Sequence, residues 1–175
     1  NKPNQISWPL CERTEALTRL ASLIEKNVFE LAWLLSIEAG RTIEDALSEI
    51  REAADFCRYY TSCATKLVSE NQIEETAGGI FLCISPWNFP LAIFVGQVVA
   101  ALVSGNVVIA KPAEQTPLIA YKAVELFYKS GVPSSVLNLL LADGLTTSKL
   151  IDSDLQLSGV AFTGSNSTAY KIQTS

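Results

Sequence analysis

The sequence predicts an α/β fold, a parallel sheet with flanking helices, preceded by a segment made only of helices. Three observations carry this. Ile80 to Ile84 is a short, wholly apolar run, as in a strand buried on both faces. Such runs alternate with stretches of helical length and periodicity, which is the order of βαβ units. Before them, the first 70 residues repeat their apolar positions at helical spacing only.

Leu17, Leu20, Leu23 and Ile24 predict the first helix, and Phe29, Leu31, Leu34, Leu35 and Ile37 its continuation, with Asn27 as a joint. Gly40 is expected to stop it. Thr42 followed by Asp45 is a variant of the capping box. The helix from Ile43 turns Ala46, Leu47, Ile50, Ala53, Ala54, Phe56, Cys57 and Tyr60 to one broad face, and its Glu and Arg residues are expected on a solvated face. Gly78-Gly79 is punctuation. Then come a strand (80–85), a loop (86–90), a helix (91–104), a strand (107–110), a loop (111–116), a helix (117–130) and a strand (136–140). A short helix near 146–151, a strand (159–163), a Gly-Ser turn (164–165) and another helix start complete the order. Gly105 and Gly131 stand where helices end, and Pro117 stands in a first turn. The expected organisation is a helical segment over 1–77 and the first part of an α/β domain over 78–175.

Composition narrows the function. The net charge of −5, with no Lys/Arg run, gives neither a nucleic-acid footprint nor a polybasic lipid patch. With no histidine, Ser-His-Asp and Cys-His mechanisms are excluded within these 175 residues, and the commonest metal ligand is missing. Cys11, Cys57, Cys63 and Cys83 form no C-x-x-C pair, so no metal site is expected; they read as reduced thiols of a cytoplasmic protein. The apolar run from Leu91 to Val103, broken by Gly96 and Gln97, is too short to span a membrane and reads as a buried helix. The absence of methionine reads as an internal piece of something longer.

In open α/β sheets ligands bind beyond the carboxyl ends of the strands. Three polar segments fall there: Ser85 to Pro90, Lys111 to Pro117, and Thr163 to Ser165. Thr163-Gly164-Ser165 precedes a helix start, so it is either a phosphate-binding turn or a plain tight turn. Lys111 and Glu114 suit ribose hydroxyls, and the carboxylate would repel a 2′-phosphate, favouring NAD over NADP. The alternative is a surface ion pair worth little. Asn88 is either an amide donor for a developing oxyanion or a turn residue bonded to its own backbone. Trp87 and Phe89 either wall a pocket or cover the sheet end.

Ile84-Ser-Pro-Trp-Asn-Phe-Pro90, Lys111-Pro-Ala-Glu-Gln-Thr-Pro117 and Phe162-Thr-Gly-Ser165, in that order and spacing, resemble the aldehyde dehydrogenase superfamily. Glu38-Ala-Gly-Arg-Thr42 is similar to that family's helix-joining segment. Arg51 to Tyr60 and Cys83 to Phe94 resemble its pyrroline-5-carboxylate dehydrogenase branch, which in bacterial proline utilization proteins is fused to a flavin-dependent proline dehydrogenase.

The resemblance implies an incomplete Rossmann-like NAD-binding domain and oxidation of L-glutamate γ-semialdehyde to L-glutamate. NAD is the implied cofactor, with FAD only if a proline dehydrogenase domain precedes this segment. It implies that Asn88 is the oxyanion-hole side chain and that Ile84, Ser85, Pro86 and Trp87 line the cofactor cleft. Lys111 and Glu114 would hold the adenosine ribose, Gly144 would lie near the adenine, and Gly164 and Ser165 would meet the pyrophosphate. Phe89 would border the aldehyde pocket. The partners implied are a small aldehyde and further copies of the parent protein in a homo-oligomer. The implied setting is cytoplasmic, with peripheral attachment to the inner membrane open to the parent. Two departures stand. Asn166-Ser167-Thr168 replaces the family's usual Thr-Glu-Val, and the family's general-base Glu and nucleophilic Cys fall beyond Ser175, so the chain alone is expected to be inactive. The alternative is a non-catalytic nucleotide- or protein-binding α/β module.

Overall fold

The structure is a computed structural model that describes residues 8–70, 79–152 and 156–174. Gly78 and the expected boundary at 77/78 lie outside them. Three helices come first: α1 (Leu10–Lys26), α2 (Val28–Ala39) and α3 (Ile43–Ser69). Then β1 (Ile80–Ile84), α4 (Ala92–Val103), β2 (Val107–Lys111), α5 (Pro117–Ser130), β3 (Leu137–Leu139), α6 (Gly144–Asp152), β4 (Leu157–Phe162) and α7 (Asn166–Thr174) alternate. Asn27 is the joint between α1 and α2. Gly40 ends α2 at φ 65°, a left-handed conformation in which a Cβ is strained, and the Thr42 hydroxyl caps α3 by accepting from the Asp45 N–H at 3.2 Å.

All strand pairs are parallel, in the order β3-β2-β1-β4. The chain moves outward from β1 to β3 and then returns to the far side of β1. Right-handed crossovers therefore put α4 and α5 on one face and α6 on the other. The direction reverses between β1 and β4, and a topological switch point opens a crevice at their carboxyl ends.

The N-terminal helices pack onto the face that carries α4 and α5, with α1 against α3 and α5 and α3 against α4. Leu17, Leu20 and Ile24 of α1, Ile50 and Cys57 of α3, Phe94 and Val98 of α4, and Leu126 and Phe127 of α5 belong to one continuous core. Two expectations about α3 fail. Leu47, expected on the broad apolar face, is exposed, because apolar residues lie on more sides of this helix than its neighbours cover. Glu49 does not belong to a solvated face. It is 1% exposed, inside the core side of α3 between Ala46 and Ala53.

Candidate active site

The crevice at the switch point encloses about 500 Å³, within the range of small-molecule sites. All three polar strand ends meet in it. Ser85, Pro86, Trp87 and Asn88 come from the loop after β1, Lys111 and Glu114 from the end of β2 and the loop after it, and Thr163, Gly164 and Ser165 from the turn after β4. The sequence reading did not single out Ile93, Gln115, Phe162 and Thr168, which also line it.

The floor is set by the sheet. The Ser85 N–H donates to Lys111 O at 3.2 Å and the Thr163 N–H to Ile84 O at 3.1 Å, which ties the three loops together where the strands end. Ile84 itself is buried in β1 and acts through that carbonyl; its side chain does not line the crevice. From α4, the Gln97 amide donates to Thr163 Oγ1 at 2.9 Å and braces the third turn.

Lys111 is nine-tenths buried yet ionic. Its Nζ donates to Pro112 O at 3.1 Å and lies 3.7 Å from Glu114 Oε1. A half-buried pair on the crevice wall is not the surface ion pair weighed from the sequence. Gly144 sits across from it: a Cβ there would lie 4.0 Å from Glu114 Oε1. Asn88 is exposed, and among the described residues its amide has no hydrogen-bond partner, so the self-bonded turn is not what forms. Ser85 is 4% exposed and lines the crevice, with its hydroxyl oxygen buried and unpartnered among the described residues. A polar ligand would satisfy such an atom. Phe89 is not among the residues that line the crevice, and the Arg41 guanidinium carbon lies 4.1 Å from its ring centroid.

Helix N-termini divide sharply. The Leu91 and Ala92 N–H groups of α4 donate to Glu49 Oε1 at 2.8 and 3.2 Å. Those of Leu118 and Ile119 of α5 donate to the two Glu38 oxygens at 2.7 and 2.9 Å. The Thr146 N–H of α6 donates to Asp143 Oδ1 at 2.6 Å; hydrogen bonding from the Thr146 side chain, and then from this N–H, holds the Asp143 carboxyl below its ordinary range, with Lys149 and Lys111 adding attraction. Three of the four helices that follow strands thus carry a built-in carboxylate. The exception is α7, capped by the neutral Ser165 hydroxyl, which accepts from the Thr168 N–H at 3.2 Å. Its free positive end borders the crevice and is open to an anion. A Cβ at Gly164 would meet the Phe162 ring at 2.5 Å, so any side chain there requires that ring to move.

No cysteine lines this crevice. Cys57 and Cys83 are buried, and burial pushes each thiol up to about 12; Cys11 is exposed and Cys63 half-buried, and all four are free. Among the described residues there is no group of three or more His, Cys, Asp or Glu suited to a metal ion, and no helix is long and apolar enough to cross a membrane.

The sequence matches the model of the aldehyde dehydrogenase family over residues 3–175. It is 44% identical over 173 residues to the bifunctional protein PutA of Klebsiella aerogenes, covering 99% of this chain and 13% of that protein. It is 36% identical over 170 residues to the 1-pyrroline-5-carboxylate dehydrogenase of Anoxybacillus flavithermus, covering 91% of this chain and 33% of that one. Among solved structures, a proline utilization A with proline bound in remote sites superimposes with a TM-score of 0.89 at 45% identity, over 95% of this chain and 18% of the other. An NAD-dependent benzaldehyde dehydrogenase from Corynebacterium glutamicum gives 0.84 at 26% identity, over 96% and 39%. The chain therefore spans well under half the length of each of these proteins.

Proposed function

The chain belongs to the aldehyde dehydrogenase family, and from that premise we propose that the intact protein oxidises L-glutamate γ-semialdehyde to L-glutamate with NAD, as a step of proline catabolism. The relatives named as PutA and as 1-pyrroline-5-carboxylate dehydrogenase support the substrate. The observation that carries the reading is the meeting of Asn88, Lys111, Glu114 and the turn at Thr163 to Ser165 in one crevice at the switch point.

NAD fits the donor set. Lys111 donates to the hydroxyls of the adenosine ribose, and Glu114 accepts from them. That carboxylate repels a 2′-phosphate and so selects against NADP. Gly144 leaves room beside Glu114 for the adenine. The N-terminus of α7, which carries only the neutral Ser165 cap, would with Gly164 meet the pyrophosphate, and the Ser85 hydroxyl would supply a further polar contact with Pro86 and Trp87 beside it. When bound, NAD accepts the hydride.

The chain's own part in the chemistry is electrostatic. Addition of a thiolate to the aldehyde carbonyl moves negative charge onto oxygen, and the Asn88 amide, unpartnered among the described residues, donates to it. The thiolate comes from outside these 175 residues, because none of their cysteines reaches the crevice. Taken alone, they turn over no aldehyde. The four free cysteines suit the reducing cytoplasm.

The test is NAD reduction by the purified intact protein with L-glutamate γ-semialdehyde, beside Asn88→Ala. Loss of one oxyanion donor should lower kcat by about 10²- to 10³-fold. A near-normal kcat in that variant removes Asn88 from its role. Failure of any aldehyde to support NAD reduction sinks the whole reading.

A further inference from the structure

The loop that carries Asn88 has no local means of holding its downstream end. Phe89-Pro90-Leu91 offers no hydroxyl, amide or carboxylate to cap α4, and Leu91 makes no side-chain cap bond. The missing acceptor arrives from α3. Glu49 is fully buried, and its Oε1 takes the N–H groups of both Leu91 and Ala92. Its other oxygen, Oε2, accepts from Arg41 Nε at 3.1 Å. The carbon of the same guanidinium lies 4.1 Å from the ring centroid of Phe89, the residue next to Asn88. The four groups close a ring, from the Leu91 N–H through Glu49 and Arg41 to Phe89, around the outer half of the loop. The inner half is already tied at Ser85.

We infer that Arg41 and Glu49 are positioning residues for Asn88: they hold the amide where the oxyanion forms, without touching substrate or cofactor. Glu49 is not a general acid or base, because both oxygens are occupied and it faces a helix end rather than the crevice. Arginine is required at position 41 because two tasks fall on one side chain. A planar guanidinium both hydrogen-bonds a carboxylate and stacks on an aromatic face, whereas a lysine ammonium keeps only the ion pair. The inference rests on the oxyanion role proposed for Asn88, and its consequence is graded. Small misplacements of a catalytic group cost up to about 100-fold in rate.

Two measurements on the intact protein separate this from a structural role. The first is kinetic. Arg41→Lys and Glu49→Gln each keep part of the ring, and each should lower kcat roughly 10- to 100-fold while KM for NAD stays unchanged. Placed on Asn88→Ala, Arg41→Lys should cost nothing more, because its effect passes through that amide. An equal loss in both backgrounds overturns the inference, as does an unchanged kcat in Arg41→Lys alone. The second needs no turnover. In protein labelled with 5-fluorotryptophan, the ¹⁹F line of Trp87, identified by its loss in Trp87→Phe, should shift or broaden in Arg41→Lys while that of Trp8 holds still. A Trp87 line identical to wild type overturns the inference. If the wild type oxidises no aldehyde, the functional reading falls by itself and the Trp87 line still decides whether Arg41 orders the loop.

Discussion

Asn88 and Glu49 show opposite uses of a polar side chain. Asn88 is exposed and unpartnered among the described residues, so its bonding capacity is open to the oxyanion proposed for it. Glu49 is buried and saturated, so its capacity is spent on the scaffold. The cysteines divide in the same way. Burial raises the Cys57 and Cys83 thiols from 9.0 to about 12, so both stay neutral in the fold. As pH rises, the unfolded chain loses these protons first, so stability is undiminished below pH about 9 and declines from there towards about 12. The expected result is a melting temperature that falls more steeply above pH about 9 in the wild type than in the double variant Cys57→Ala, Cys83→Ala; equal slopes would remove the thiols as the cause. At this scale the sequence is a partial guide. The motifs named Asn88, Lys111 and Glu114, and the structure brings them together. Glu49 escaped notice because its partners lie 42 and 43 positions away. One signal was available: a lone Glu on a face made of Ala46, Ile50 and Ala53.

Among the elements, the α/β order was legible nearly throughout, since apolar strands and capped helices are written locally. The helix at 117–130 has the expected bounds, and the strands shift by one or two residues at their ends, where pairing with neighbours decides the last residue. Which helix faces touch could not be read from periodicity. Gly96 and Gln97, two breaks in an apolar run, turn out to be contacts: Gly96 admits Phe56 of α3, and Gln97 reaches Thr163. A Cβ at position 96 would come within 2.9 Å of Phe56 Cδ2. Ala is the better helix former by about 1 kcal/mol, but overpacking costs about 1–3 kcal/mol. Gly96→Ala should therefore destabilise by up to about 2 kcal/mol on this balance, read by urea denaturation, and Phe56→Leu should restore much of it. A stabilised Gly96→Ala would mean that α3 and α4 are not in close contact there.

At the scale of the molecule, the helices before the sheet do more than cover it. Glu38 and Glu49, from either side of the joint between α2 and α3, fill the N-termini of α5 and α4. With Asp143 on α6, this leaves α7 as the one helix after a strand that presents an uncompensated positive end to the crevice. The switch point follows from strand order, and strand order was not legible, because parallel neighbours are chosen by tertiary packing. The central claim is that this crevice, with Lys111 and Glu114 on its wall, is an NAD site. Calorimetric titration of the intact protein with NAD and NADP, beside Lys111→Met, tests it most directly. The account predicts saturable binding that prefers NAD and weakens roughly 10- to 100-fold in the variant, as expected for a lost charge-assisted hydrogen bond. Equal affinity for NADP, or NAD binding unchanged by Lys111→Met, would contradict it.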